Sequence, residues 1–231
     1  MLDSLFAQYP NIVVLDTETT GIRPKGDEII ELAALRAVSG FGQAVIEEEM
    51  DDLIRLSPGK HLPPLIVNLT GITEQMLTNE GVEKAEAAGK FAAMLSRPGT
   101  LAVAYNAQFD LCFLFYFLQQ FGLSGALNGV RFLDAMTVYK DRRDYPHKLK
   151  NAIEEYHLVG ENTHRAIDDA KATLELLEAM SEEENDLLRY VNLFGYNAKY
   201  GVSGPRIRSV TYLPQGYDRS CKLYEKLPCP T

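Results

Sequence analysis

The chain has 231 residues and a formal net charge of −9, with 46% hydrophobic and 24% charged residues. This composition is ordinary for a globular protein. The longest apolar run, residues 111–118, is far shorter than the roughly 18 residues that span a bilayer, so we expect no membrane segment. The net negative charge argues against binding of nucleic acid by electrostatic attraction to the protein surface as a whole.

Two features favour a cytoplasmic location. Residues 1–4 lack the basic start of a secretory signal. The three cysteines, Cys112, Cys221 and Cys229, form no even set for disulfides, and none has a second Cys or His at zinc-binding spacing. We therefore expect a protein of the reducing cytoplasm.

The first elements predicted are three strands, at residues 12–15, 28–38 and 43–50, from apolar runs bounded by Gly and Pro. Their short connections predict an antiparallel meander. Short helices are then predicted at 65–71 and 73–78, the second capped by Thr73, and a longer helix at 82–95.

The rest of the chain alternates strands with helices. Strands are predicted at 101–104 and 131–135, and helices at 107–121, 136–143, 149–156, 164–180 and 182–194. Three strands followed by this alternation indicate an α/β domain with a mixed sheet over residues 1–194. Residues 195–231 are interpreted as a C-terminal extension, with one strand predicted at 206–213.

The C-terminal extension is basic and rich in tyrosine. The chain from Phe194 onward carries a net charge of +4, which leaves −13 on the remainder. Two interpretations stay open: aromatic and basic residues could stack on and grip single-stranded nucleic acid, or the tyrosines could be buried as the segment wraps the domain. The residues concerned are Tyr196, Lys199, Tyr200, Arg206, Arg208, Tyr212 and Tyr217.

Two acids end the first strand. Asp16 and Glu18 follow four apolar residues, and because strand side chains alternate, both carboxylates lie on the same face. Neighbouring carboxylates at the end of a buried strand repel each other and lose hydration, and a hard divalent cation such as Mg²⁺ or Mn²⁺ would neutralise them. The alternative is a capped loop, with Asp16 accepting turn N–H groups and Glu18 in solvent.

A third acid, Asp110, begins the very apolar helix predicted after residue 106. Its neighbours at i+3, i+4 and i+7 are Phe113, Leu114 and Phe117, so Asp110 is predicted to face the core. The helix dipole would also stabilise an acid at this end. Asn106 is predicted to cap the helix or to orient the site.

The helical period of residues 164–180 indicates which of two adjacent acids, Asp168 or Asp169, faces inward. Asp168 belongs to a polar stripe and is predicted to face solvent, whereas Asp169 shares a largely apolar stripe with Leu176 and is predicted to face inward. His164 lies five residues before Asp169, so the two cannot share one face of a regular helix. We expect His164 in the loop that leads into the helix, near the mouth of the site.

Together, these segments offer four inward carboxylates, from Asp16, Glu18, Asp110 and Asp169, and one histidine. Such a cluster is prohibitively unstable without cations, and two Mg²⁺ ions would balance it. Two metal ions typically about 3.5–4 Å apart stabilise the attacking and leaving oxygens of a phosphoryl displacement. A neutral His164 suits removal of a proton from water. The chemistry indicated is phosphodiester hydrolysis.

These residues resemble the three motifs of the DEDDh exonucleases, the superfamily that includes the epsilon proofreading subunit of bacterial DNA polymerase III. The first motif is Asp16-Thr-Glu18-Thr-Thr-Gly21, the second is Asn106-Ala-Gln-Phe109-Asp110, and the third is His164 followed by Asp169. Residues 69–73 also resemble a substrate-side segment of this family. The resemblance spans roughly residues 12–180.

The resemblance implies an RNase H-like fold with a five-stranded mixed sheet flanked by helices. It implies 3′→5′ release of nucleoside 5′-monophosphates with two Mg²⁺ or Mn²⁺ ions. Asp16, Glu18 and Asp169 would hold the catalytic ion, Asp110 would support the second ion with Asp16, and His164 would be the general base. The residues expected to hold the terminal nucleotide are Thr19, Gly21, Ile22, Leu69, Thr70, Asn106 and Phe109.

The expected substrate is a single-stranded nucleic-acid 3′ end, with DNA favoured and a DNA polymerase as a potential partner. An exoribonuclease is the alternative within the class, because discrimination depends on how the site meets the 2′-hydroxyl. A non-catalytic nucleic-acid-binding module is the alternative outside it. A second basic cluster, at residues 140–150, could guide the phosphate backbone or could be a solvated surface.

Overall fold

The computed structural model describes residues 2–40, 43–160, 162–216 and 220–227. The helices are α1 (Asp3–Gln8), α2 (Pro64–Thr70), α3 (Glu74–Asn79), α4 (Lys84–Leu95), α5 (Ala107–Gln120), α6 (Ala135–Arg142), α7 (Leu149–Tyr156) and α8 (Ala166–Glu183). The strands are β1 (Asn11–Thr19), β2 (Ile29–Gly40), β3 (Gln43–Leu53), β4 (Thr100–Ala104), β5 (Arg131–Asp134), β6 (Leu193–Tyr196) and β7 (Thr211–Pro214).

One five-stranded sheet organises the fold, with strand order β3-β2-β1-β4-β5. Strands β1, β2 and β3 are antiparallel to one another, which confirms the predicted meander. Strands β4 and β5 run parallel to β1, so the sheet is mixed as predicted. In this register Glu18 of β1 lies directly opposite Glu31 of β2.

Helices cover both faces of the sheet. Ile12 and Val14 pack into one core with α6 and α8, whereas Val13 and Leu15 pack into a second core with α4 and α5. Burial on both faces explains why β1 is a continuous apolar run and does not alternate with polar residues. The even-numbered residues of β1, including Asp16, therefore face α8.

The carboxyl ends of β1, β4 and β5 meet at one edge of the sheet, because these three strands are parallel. In open α/β sheets this is the edge at which ligands bind. β4 leads through Tyr105 and Asn106 into α5, and Asp110 lies in the first turn of that helix. The topology therefore places the second predicted motif, which contains Asp110, beside the end of β1, which carries the first motif.

The helix predicted at 182–194 is wrong. Helix α8 runs to Glu183, and a 3₁₀ turn at Leu187–Tyr190 leads into β6. Asn192 adopts a left-handed conformation (φ 57°), which ends the turn, and its N–H donates to the Phe132 carbonyl of β5 at 2.7 Å. The predicted strand at 206–213 is shorter than expected, since only Thr211–Pro214 pairs, parallel to β6.

The C-terminal extension packs closely on the domain. Leu223 and Tyr224 belong to the core that contains α6 and α8, and Val210 belongs to the other core. The Gln215 amide donates to the Thr137 carbonyl at 2.8 Å. Of its tyrosines, Tyr224 is buried, Tyr196 and Tyr212 are half-buried, Tyr200 is exposed, and Tyr217 lies outside the described residues.

Two residues of the basic cluster at residues 140–150 form ion pairs within the domain. Arg142 is buried and pairs with Asp186 at 2.5 Å and with Glu183 at 3.3 Å. Arg143 pairs with Glu155 at 2.9 Å and with Glu183 at 2.8 Å. These two cations hold α6 against α7 and the end of α8, so they are not available to guide a phosphate backbone.

The structure also bears on the expected environment of the protein. Within the described ranges, no helix has both the length and the hydropathy needed to cross a membrane. Cys112 and Cys221 carry free thiols, the first of them buried. Cys229 lies outside the described residues.

Removing a buried side chain of the extension should destabilise the whole domain. We expect Leu223→Ala, at a side chain that is 0% exposed, to lower the free energy of unfolding by about 2–5 kcal/mol through the cavity it leaves. Tyr200→Ala, at a residue that is 75% exposed in the same extension, should change it by less than about 0.5 kcal/mol. Chemical denaturation measures both, and equal effects would contradict the packing described here.

Candidate active site

Asp16 and Glu18 lie on the α8 side of β1, as the alternation of the strand requires. Thr17, between them, points to the α5 side and is buried. Its backbone N–H and its hydroxyl both donate to Oδ1 of Asp110, at 3.1 and 2.7 Å. The end of β1 is therefore tied to α5 through the residue between the two acids.

Asp110 is 3% exposed and reaches the end of β1 from the face opposite Asp169. Its inward orientation was predicted, and the structure confirms it. The two hydrogen bonds from Thr17 occupy one carboxylate oxygen. The other oxygen forms no side-chain hydrogen bond among the described residues.

The start of α5 is capped by Asp134 and not by Asn106. Asp134 Oδ1 accepts hydrogen bonds from the backbone N–H groups of Asn106 and Ala107, at 2.9 and 3.1 Å. Asn106 occupies the N-cap position in a left-handed conformation (φ 68°), and its side chain makes no capping hydrogen bond. The capping hydrogen bonds predicted for the Asn106 side chain are thus made by a buried acid at the end of β5, a parallel neighbour of β4.

The third motif enters from α8. Asp169, in the first turn of α8, is 6% exposed, and its Oδ2 accepts a hydrogen bond from the Asn162 amide at 2.5 Å. His164 lies in the loop before the helix, as predicted, in a left-handed conformation (φ 59°). Asp168 accepts a hydrogen bond from the Thr163 hydroxyl at 2.6 Å and is half-buried, so it stabilises the loop.

One ligand atom from each of Glu18, His164 and Asp169 lies within 4.8 Å of the others, and these three could hold a metal ion. Oδ1 of Asp169 is buried and has no hydrogen-bond partner among the described residues. Burying a carboxylate oxygen without a partner costs free energy. A cation bound at this point would provide the missing partner, so the donor set fits a hard divalent metal.

Glu31 is a buried acid beside the cluster that the sequence pattern did not single out. It is 0% exposed and accepts hydrogen bonds from Arg165 Nε at 2.8 Å and from the Ala166 N–H at 2.9 Å. Because these donors are the last loop residue and the first residue of α8, Glu31 fixes where the helix starts. It thereby positions both His164 and Asp169. The only signal for Glu31 in the sequence is that an acid interrupts the apolar run of β2.

The carboxylates raise one another's pKa. Burial, followed by repulsion from Asp110, Asp169 and Glu18, holds the pKa of Asp16 well above its ordinary value. Burial and the neighbouring acids raise the pKa of Glu18 to about 8. Burial raises the pKa of Asp110 to about 7 although the Thr17 hydrogen bonds oppose it, and that of Asp169 to about 6 although Asn162 opposes it. These four acids therefore lie close enough to interact.

Two of the predicted substrate residues line a groove at the start of α5, the helix that carries Asp110. Ile22 is 82% exposed, and with Phe109 it lines a groove next to α5. Thr19 is buried, and its hydroxyl donates to the Gly21 carbonyl at 2.6 Å. A Cβ on Gly21 would lie 2.6 Å from Oδ2 of Asp27, so a larger residue would require the Asp27 carboxylate to move.

The other predicted substrate segment is at α2. Leu69 is 47% exposed. The Thr70 hydroxyl donates to the Ile66 carbonyl at 3.0 Å and accepts from the Ile72 N–H at 3.1 Å. The Thr70 side chain is therefore occupied by its own turn.

Comparison with known proteins identifies the family. The family model RNase_T, described as exonuclease, matches residues 13–177. The chain belongs to this exonuclease family and is an exonuclease domain homologous to 3′–5′ exonucleases. Members of this family normally use divalent metals, in agreement with the carboxylate and histidine group described above.

Two relatives show the range of proteins that contain this domain. The chain is 37% identical over 179 residues to the 3′-5′ exonuclease DinG of Bacillus subtilis, covering 74% of this chain and 18% of that protein. It is 34% identical over 200 residues to the PolC-type DNA polymerase III of Halalkalibacterium halodurans, covering 84% of this chain and 13% of that protein. The chain thus spans less than a fifth of the length of either relative.

A solved structure shares the fold. Escherichia coli exonuclease I, in complex with a dT13 oligonucleotide, superposes with a TM-score of 0.70 at 20% identity, covering 78% of this chain and 43% of that one. The likeness confirms the predicted RNase H-like fold.

The raised pKa of Asp110 leads us to a prediction about how folding stability depends on pH. Its pKa rises from an ordinary 3.8 to about 7 on folding, so the folded state binds the proton more tightly and stability is lost as pH rises through this window. Asp110→Asn keeps an oxygen for the Thr17 donors and removes the titration. In EDTA, we expect the variant to gain stability relative to wild type between pH 4 and pH 8, measured by urea denaturation.

The matched control is Glu80→Gln, at an exposed acid with no ion pair among the described residues. It should follow wild type across the same pH range. With Mg²⁺ present, the advantage of Asp110→Asn should shrink or reverse, because the carboxylate then has a cation to bind. A pH-independent difference between wild type and Asp110→Asn would contradict the electrostatic account.

Proposed function

We propose that this domain is a metal-dependent 3′→5′ exonuclease that removes nucleoside 5′-monophosphates from the ends of single-stranded DNA. The observation that carries the proposal is the cluster of Glu18, His164 and Asp169, beside which Asp16 has a pKa raised by burial and by the nearby Asp110 and Asp169. An acid cluster of this density is stable only when protons or bound cations compensate its negative charge.

The four acids would hold two divalent ions, Mg²⁺ or Mn²⁺. Asp16 and Glu18, on the α8 side of β1, would form one site with Asp169 of α8, and Asp110, approaching from α5, would support the other with Asp16. Bound ions would neutralise the carboxylates and stabilise the negative charge that develops on the phosphate. The orphaned Oδ1 of Asp169 supports its role as a ligand.

His164 would act as the general base. It is partly exposed, it lies in a loop at the mouth of the site, and its ring nitrogen is within 4.8 Å of carboxylate oxygens that face the same space. It would accept a proton from the water that attacks the terminal phosphate, while the bond from phosphorus to the preceding 3′ oxygen breaks. The products are a nucleoside 5′-monophosphate and a shortened strand with a 3′-hydroxyl.

The terminal nucleotide would bind beside Ile22 and Phe109, whose apolar surfaces suit a base. The turn at Thr19 and Gly21 would offer backbone N–H groups, and Asn106, Leu69 and Thr70 would complete the contacts. DNA is favoured as the substrate because one relative is named as a DNA polymerase and the structural neighbour binds a DNA oligonucleotide. A DNA polymerase is accordingly the proposed partner, and proofreading or repair the proposed role.

End-labelled oligonucleotides test this proposal directly. Matched single-stranded DNA and RNA, labelled at the 5′ or the 3′ end, are incubated with Mg²⁺, Mn²⁺ or EDTA. We expect metal-dependent release of single nucleotides from the 3′ end, faster on DNA. His164→Ala should lower kcat by roughly 10²–10⁴-fold, the usual contribution of a general base, while folding is unchanged.

Faster cleavage of RNA would replace the proposal with an exoribonuclease. Failure of folded, metal-supplemented wild type to cleave either polymer would contradict catalysis and leave a nucleic-acid-binding module. Activity of Asp169→Asn equal to wild type would contradict the assignment of Asp169 as a ligand.

A further inference from the structure

Two neighbouring grooves lie beside α5. The first, with a volume of about 320 Å³, begins at Ile22 and Phe109, where the terminal nucleotide is proposed to bind. The second, with a volume of about 720 Å³, lies further along the helix. Cys112, Tyr116 and Pro205 line both grooves, so together they form one continuous trough that leads away from the acids.

The C-terminal extension builds one wall of the trough. The Gln108 amide, next to Phe109 on α5, donates to the backbone carbonyls of Ser203 and Pro205, both at 2.8 Å. The Tyr212 hydroxyl donates to Gln108 Oε1 at 2.6 Å and accepts from the Ile207 N–H at 2.9 Å. This wall is therefore fixed to the helix that carries Asp110.

The trough is basic although the chain as a whole is acidic. Arg23 and Lys25 line the first groove, and Arg131, Arg206 and Arg208 line the second. No described Asp or Glu lines either groove. Arg23 pairs with Asp27 at 3.2 Å. The three arginines of the second groove form no ion pair within the parts of the chain described, so their charge is available to a ligand.

Aromatic surface accompanies these cations. Phe115 is 40% exposed, and its ring meets that of Tyr116 edge-on at 5.3 Å. Lys25 lies over the Tyr116 ring at 5.3 Å, and Arg206 lies over the Tyr212 ring at 5.1 Å. Cations and aromatic rings in an open groove are the arrangement that binds single-stranded nucleic acid without sequence preference.

We propose that the trough binds the part of a single-stranded DNA substrate that lies 5′ of its terminal nucleotide. Its phosphates would contact Arg131, Arg206 and Arg208, and its bases would stack on Phe115 and Tyr116. The continuity of the trough with the nucleotide site and the excess of positive charge argue for this occupant over a protein segment. The inference rests on the proposed function for the position of the 3′ end.

Charge removal in the extension tests the trough. Arg206 and Arg208 are both exposed, so Arg206→Gln/Arg208→Gln should fold normally. Binding of labelled single-stranded DNA of about 4 and about 16 nucleotides, blocked at the 3′ end by a phosphorothioate linkage, is measured over a range of salt concentrations. For the longer DNA, the slope of log affinity against log salt should fall by about 1.4, or about 0.7 for each lost phosphate contact. The shorter DNA also enters the trough and should show a smaller fall, whereas a nucleoside 5′-monophosphate, which fills only the terminal site, should bind as to wild type.

The matched control is Lys199→Gln/Lys226→Gln, which removes two exposed charges from the same extension outside the trough and should leave the slope unchanged. Arg131→Gln, on β5, should by itself lower the slope by about 0.7. If wild type hydrolyses DNA but the salt slope is unchanged in both trough variants, the proposal that the trough binds DNA is wrong and the proposed function stands. Absence of hydrolysis by wild type would instead overturn the proposed function.

Discussion

Repulsion among buried carboxylates at the end of β1 is the interaction on which the site depends. Burial raises the pKa of Asp16, Glu18, Asp110 and Asp169, and repulsion from neighbouring acids adds to this effect, so each would be more stable as the neutral acid or beside a cation. The fold nevertheless holds them together with a framework of hydrogen bonds. Free energy lost at this cluster in the metal-free protein is thus available to favour metal binding.

That framework comes from residues outside the motifs. Thr17 ties β1 to Asp110, Asp134 fixes the start of α5, and Glu31 with Arg165 fixes the start of α8. Each contact joins one of the parallel or central strands to the first turn of a helix. The acids are therefore positioned by helix starts that meet at the carboxyl edge of the sheet, the position at which a ligand can reach all of them.

The sequence predicted most of the helices from the period of their apolar residues, and the central strands from continuous apolar runs between turn residues. It also predicted which of Asp168 and Asp169 faces inward. It missed Glu31, since only strand pairing shows that this acid lies opposite Glu18. It misjudged residues 182–194, where Leu187, Tyr190 and Phe194 fit a helical spacing but are buried in a turn and a strand. Contacts between distant segments decide such cases, and local pattern does not record them.

Calorimetric titration of the metal-free protein with Mn²⁺ would show directly whether the acid cluster is a divalent-metal site. We expect saturable binding of about two ions at neutral pH, with protons released as the acids ionise. We also expect weaker binding of Mn²⁺ by a folded Asp169→Asn variant. Absence of saturable binding, or identical binding by wild type and Asp169→Asn, would show that the acid cluster is not a metal site.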